Sequence, residues 1–170
     1  MDKSAIENRL RDYYRDMRSI ELNQQRLEML CRHRDDTKQD IDTSNIRPLA
    51  ADLRGISYDG DKVQTSGSTS PQERALEDAF RRLEDRLRNL DAQILDTKQL
   101  IRELEQATLD IGLAIGQLSV ESCELIEMRY KHQQSGYVIG LRLNVSESTV
   151  RRMCKSILNA LAENIAGYAP

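Results

Sequence analysis

The chain has 170 residues, of which 31% are charged and only 4% aromatic, with no Trp and a single Phe. So few bulky groups argue against a large globular core and suit long amphipathic helices with narrow apolar stripes. The formal net charge of −3 excludes a protein that coats nucleic acid or membrane with its whole surface, so any nucleic-acid contact has to be local.

The only prolines are Pro48, Pro71 and Pro170, and they divide the chain near residues 45 and 71 into stretches free of helix breakers. In the first stretch Ile6, Leu10, Tyr13, Met17, Ile20, Gln24, Leu27 and Cys31 follow one another at alternating steps of four and three, the spacing of a heptad seam. The same residues serve either a coiled coil, with Gln24 fixing its register, or a long helix lying on another helix.

A loop is expected over about residues 43–71, where Gly, Ser, Thr and Asp cluster after Gly55. Within it "GISYDGDK" has the outline of a phosphate-cradling loop. However, Asp61 separates Gly60 from Lys62, Val63 stands where a Mg²⁺-binding hydroxyl is needed, and no strand precedes it. The segment is read as a return loop, with "YDGD" as a tight turn.

Beyond Pro71 the four-three alternation runs without a miss through Leu76, Phe80, Leu83, Leu87, Leu90, Ile94, Thr97, Ile101, Leu104, Thr108 and Ile111. Acid-first pairs such as Glu77 with Arg81, Asp78 with Arg82 and Glu84 with Arg88 solvate the outer faces. Helices from near Ala5 to Asp40 and from Gln72 to Asp110 would each extend about 55 to 60 Å, which suggests an antiparallel hairpin. An isolated pair buries little, so a homodimer or higher homo-oligomer is expected. Its seam would use Leu10, Tyr13, Met17, Ile20, Leu76, Phe80, Leu83, Leu87, Leu90, Ile94, Ile101 and Leu104.

Gly112 and Gly116 interrupt the closing turns of this pattern and Ser119 precedes a fresh one, which suggests a hinge and a helix start. The boundary is placed near Leu118, between a helical hairpin or coiled-coil region over 1–117 and a second domain over 118–170. The second domain reads as three helices: Val120 to Lys131 with Ile126 and Tyr130 inward, Ser135 to Leu143, and Ser146 to about Ile165. The short connections force the last two to cross steeply, which is helix-turn-helix spacing.

Ser135 and Ser146 suit the caps of these two helices, Gly140 suits a close crossing, and Asn144 tolerates the left-handed backbone of a sharp turn. Val145 and Val150 would face inward with Ile139 and Leu143, in one small core with Ile157, Leu158 and Leu161. The outward face then carries Glu147, Ser148 and Thr149, followed by Arg151, Arg152 and Lys155. With Arg142, this short segment holds about three positive charges net inside an acidic protein. Short polar groups can enter a major groove and Arg can bind guanine or phosphate. Ser135, Arg142, Ser146, Glu147, Ser148, Thr149, Arg151, Arg152 and Lys155 are therefore the candidate DNA-binding residues.

The segment "LIEMRY…SGYVIGLRLNVSESTVRR" resembles the helix-turn-helix of sigma-factor region-four domains. Arg129-Tyr130, Ser135, Ile139-Gly140, Leu143 and Ser146 to Arg151 match in order, with Gly140 in place of the usual Ala and Asn144 in place of the usual Gly. Taken with the N-terminal "DYYRDM", the loop "GISYDGDKVQTSGS" and the charged heptad helix, nearly the whole chain is similar to the RinA/ArpU-like phage late-gene regulators. That resemblance implies a phage or prophage protein that binds promoter DNA in the bacterial cytoplasm and activates late genes, including packaging functions. It also implies a recognition helix over Glu147 to Lys155.

Two other readings stand beside it. One is a small-terminase-like packaging factor, and the other a helical adaptor whose long helices dock a partner such as host RNA polymerase. No enzymatic activity, cofactor or metal is expected: His33 and His132 have no ligand or nucleophile partner in sequence, and the carboxylates lie on solvated faces. Cys31, Cys123 and Cys154 form no CxxC pair and are read as buried apolar groups in a reducing compartment. Neither a signal peptide nor a run of about 18 apolar residues is present, so no membrane partner is expected.

Overall fold

The computed structural model describes residues 3–43, 46 and 71–168, and among them every regular element is helical. Two long helices, α1 (Lys3–Asp42) and α2 (Pro71–Gly116), are followed by α3 (Val120–Ile126), a π-helical turn (Glu127–Lys131), α4 (Gly136–Leu143) and α5 (Glu147–Tyr168). The return loop, with "GISYDGDK" and its tight turn, lies outside the described residues.

The chain forms two compact units, one of Met1–Gln24 with Leu100–Pro170 and the other of Gln25–Gln99. The boundary expected near Leu118 is therefore a break between helices and not between cores. The reason is the first unit's main core: Ile6 and Leu10 of α1 and Ile111 and Ala114 of α2 pack with Leu125 and Ile126 of α3 and with Ile157, Leu158, Leu161 and Ile165 of α5. Burying side chains such as Ile6 and Leu10 stabilises by about 1.5–3 kcal/mol each, so the three-helix segment draws much of its apolar cover from α1 and α2.

The expected hinge is corrected as well. Gly112 does not interrupt α2, which stays helical to Gly116. Its neighbours Ile111 and Ala114 are anchored in the core, and Tyr13 packs close by. This holds the backbone against the modest helix penalty of glycine, about 1 kcal/mol. Beyond Gly116 the Ser119 hydroxyl accepts from the Ser122 N–H at 3.3 Å and starts α3.

In the second unit Leu30 of α1 packs with Leu90 and Ile94 of α2, flanked by Leu27 and Cys31. Thr37 and Thr97 are also buried, each donating its hydroxyl to the carbonyl four residues back, at His33 (2.8 Å) and Gln93 (2.7 Å). Internal hydrogen bonds of this kind let a polar side chain sit in an apolar stripe without an unpaired group.

On α1 the inward row departs from the expected seam. Asn23 and Leu30 are more covered than Gln24 and Cys31, and both Gln24 and Met17 are exposed within the single chain. On α2 the alternation holds from Leu83 to Ile111, but at its start Ala75 and Ala79 are buried while Leu76 and Phe80 are exposed. Of the residues expected at a seam between copies, Leu10, Ile20 and Ile101 are buried in the first unit and Leu90 and Ile94 in the second. Tyr13, Leu83, Leu87 and Leu104 are half-buried.

Candidate nucleic-acid interface

The connection from α4 to α5 is built by three residues with different tasks. Asn144 adopts the left-handed conformation (φ 58°, ψ 38°), and the N–H groups of Asn144 and Val145 both reach the Gly140 carbonyl. The reversal brings the Val145 carbonyl so close to α4 that a Cβ on Gly140 would lie 2.7 Å from its oxygen. Ser146 then caps α5: its hydroxyl accepts from the Thr149 N–H at 3.2 Å and lies 2.8 Å from the hydroxyls of both Ser148 and Thr149. Ser135 caps α4 in the same way, accepting from Val138 N–H at 3.3 Å.

Beneath the turn Met128, Ile139 and Val150 are buried together, with Leu143, Val145 and Cys154 around them. Two cores thus replace the single one expected, since Ile157, Leu158 and Leu161 belong to the larger cluster with α1 and α2. Met128 was not legible as a core residue because α periodicity puts it about 200° from Ile126, on the side opposite the expected core. That side is covered by the second core instead, and just beyond it the helix widens, with His132 N–H reaching back five residues to the Glu127 carbonyl (2.9 Å).

At about 100° per residue, the inward row of Val150, Cys154, Ile157 and Leu161 leaves Ser148, Arg152 and Lys155 in a row on the opposite side of α5, where all three are exposed. Arg142 on α4 is exposed too. Arg151 lies on the flank, with 82% of its side chain exposed, and donates to Glu147 at 3.1 Å. The Glu147 side chain also lies against Gly136, in the first turn of α4, where a negative charge complements the helix dipole.

Not every candidate is equally free to touch a ligand. The oxygens of Ser135 and Ser146 are engaged in capping, Thr149 is half-buried with its hydroxyl held by Ser146, and Glu147 is paired. Arg142, Arg152 and Lys155 are exposed cations that can reach phosphate or a base edge directly, while Arg151 and Ser148 would do so by leaving Glu147 and Ser146.

Arg129 is the residue that reading the pattern missed as a site member. It donates from Nη1 to the Gln134 carbonyl at 3.1 Å and shares with Ser135, Arg151 and Lys155 a cleft of about 400 Å³ that Glu7 and Tyr130 also line. Its only signal in sequence was position, one residue before a half-buried Tyr at the end of a helix. Burial, followed by the nearby Glu7 carboxylate, pushes the Tyr130 hydroxyl up to about 12. Burial likewise raises the Cys154 thiol.

His33 and His132 are exposed, the three cysteines are half-buried thiols, and no group of three His, Cys, Asp or Glu among the described residues has the geometry to hold a metal ion. Among the described residues no helix is long and apolar enough to cross a membrane. No protein-family model, curated protein or solved structure matches the chain.

Proposed function

We propose that the protein is a sequence-specific DNA-binding transcriptional regulator in which α4 and α5 act as a helix-turn-helix and α5 enters the major groove. One observation carries this reading: the glycine-tight, Asn144-reversed, Ser146-capped turn leaves Ser148, Arg152 and Lys155 exposed in one row opposite the buried face of α5. A helix so mounted presents its first turns to base edges and its cations to phosphate. Similarity to the RinA/ArpU-like regulators extends the proposal to activation of phage or prophage late genes in the bacterial cytoplasm, with RNA polymerase as a further partner.

The long helices complete the reading as an antiparallel hairpin that brings copies of the chain together. Large apolar side chains on α2, among them Leu109 at 56% and Leu113 at 47% exposure, are available to a second copy in a homodimer or higher homo-oligomer.

The test is binding of the full chain to a randomised duplex pool at low salt, followed by selection and fluorescence anisotropy on the enriched sequence. Wild-type protein is expected to enrich a defined site. Arg152→Ala and Arg151→Ala should weaken binding about tenfold or more, in line with about 1–3 kcal/mol per base contact, with helicity unchanged. A wild-type chain that binds no duplex at low salt, or two Arg variants that bind as tightly as wild type, would refute the assignment.

A further inference from the structure

We propose that the N-terminal half of α1 is a second DNA-binding element, which clamps the phosphate backbone beside the segment read by α5. The inference rests on the function proposed above and extends it to a part of the chain outside the helix-turn-helix.

The observation is a second cleft in the first unit, of about 460 Å³, lined by Arg11, Arg15 and Arg18 of α1 and by Arg129 and Lys131 at the end of the π turn, with no carboxylate among its lining residues. The three α1 arginines are spaced i, i+4, i+7, which places them on one helix face. The other two cations arrive from a different element more than a hundred residues later in the chain. Five cations line one open cleft, and although Glu7, Asp12, Asp16 and Glu127 pair with three of them from outside its lining, the surface the cleft presents is cationic and suited to an anion.

The internal ion pairs around the cleft are of a kind that a phosphate can displace. Arg11 pairs with Glu7 (2.8 Å), Arg15 with Asp12 (2.8 Å) and Asp16 (3.2 Å), and Lys131 with Glu127 (3.5 Å). The Arg and Lys side chains in these pairs are 51–68% exposed, and exposed pairs are worth only about 0–1 kcal/mol. Arg18 makes no ion pair among the described residues, and the hydrogen bond of Arg129 goes to a backbone carbonyl. Gln134 also lines the cleft, and its side-chain NH2 is a group that can donate to a phosphate oxygen.

The choice of a polymeric phosphate over a free one comes from continuity. Arg129 and Tyr130 line both this cleft and the one that holds Arg151 and Lys155, to which Glu7 and Glu147 also contribute, so the cations of α1 and those of α5 lie on adjoining clefts. A duplex presents a phosphate charge about every 1.7 Å of axis, and a strand leaving the groove at α5 meets a continuing row of guanidinium forks, the side chain best shaped for phosphate.

The experiment measures anisotropy of a random-sequence duplex with the full chain between about 50 and 200 mM salt, comparing wild type, Arg15→Ala/Arg18→Ala, Arg15→Lys/Arg18→Lys and Arg152→Ala, with circular dichroism as the folding control. Each phosphate that the protein no longer neutralises lowers the log–log salt slope by about 0.9. The double Ala variant should thus shed about 1.8 of slope, at about 0.9 for each arginine, and bind every sequence more weakly by the same factor, while the double Lys variant keeps its slope. An unchanged slope and affinity in the double Ala variant, beside a weakened Arg152→Ala, would overturn the proposal while leaving the reading of α5 intact. Absence of any wild-type binding at low salt would remove both.

Discussion

A Cβ on Gly140 would stand 2.7 Å from the Val145 carbonyl oxygen, so the turn between α4 and α5 closes over a hydrogen atom. Backbone cannot yield as a flexible side chain would. Gly140→Ala is therefore expected to destabilise by about 1–3 kcal/mol through forced shifts, even though alanine gains up to about 1 kcal/mol in helix propensity. Urea denaturation followed by circular dichroism checks the sign; a stabilised variant would show that the crossing is looser than this approach requires.

Loss of the α5 cap should be felt locally. Ser146→Ala removes the acceptor of the Thr149 N–H and the tie to the Ser148 and Thr149 hydroxyls, and a reduction of about 1 kcal/mol is expected. Ser146→Asp restores an acceptor and should recover most of it. Hydrogen exchange at the Thr149 amide reports the difference.

The division between covered and uncovered positions on α1 gives a paired test. Leu10→Ala opens a fully buried site and should cost about 2–5 kcal/mol, whereas Gln24→Ala, at an exposed position, should stay within about 0.5 kcal/mol. Equal effects in thermal melts would mean that Gln24 is covered after all, as a seam between copies would require.

Alkaline pH should weaken the fold through its tyrosines. Tyr130 is held up to about 12, and Tyr13 and Tyr14 are raised too, in each case by burial first and by nearby carboxylates after it. A folded pKa above the unfolded value of about 10 means the native state keeps a proton that the unfolded chain releases. The contribution is complete below about pH 10 and lost as pH rises toward about 12. Stability should fall through that window, and Tyr130→Phe, which cannot titrate, should fall less steeply. Parallel curves for the two proteins would contradict the assignment.

Much of the helical framework was readable in the residues. The proline spacing and the unbroken alternation from Leu83 to Ile111 mark long helices, and Ser135, Ser146 and Asn144 are residue types whose side chains or backbone perform at helix ends the tasks found for them. What stayed hidden has physical causes. Thr37 looks polar until its hydroxyl is seen to bond its own helix. Ala75 and Ala79 are too small to outrank Leu76 and Phe80 in a hydrophobic pattern. Met128 lies on the side of its helix opposite Ile126, and only the packing of α4 and α5 there covers it. Arg11, Arg15 and Arg18 look like an ordinary solvated face, because the two cations that join them come from a distant segment.

The burial of Ile6 and Leu10 against Leu125, Ile157 and Leu161 bears on how the chain is made. Translation delivers α1 long before α5 has left the ribosome, so its apolar row has to remain without native cover while more than a hundred further residues are added. Contacts this far apart in sequence form late, after a large loop has closed. Until then the nascent helix carries its apolar row uncovered, and the unit that α5 belongs to is complete only once α5 has emerged.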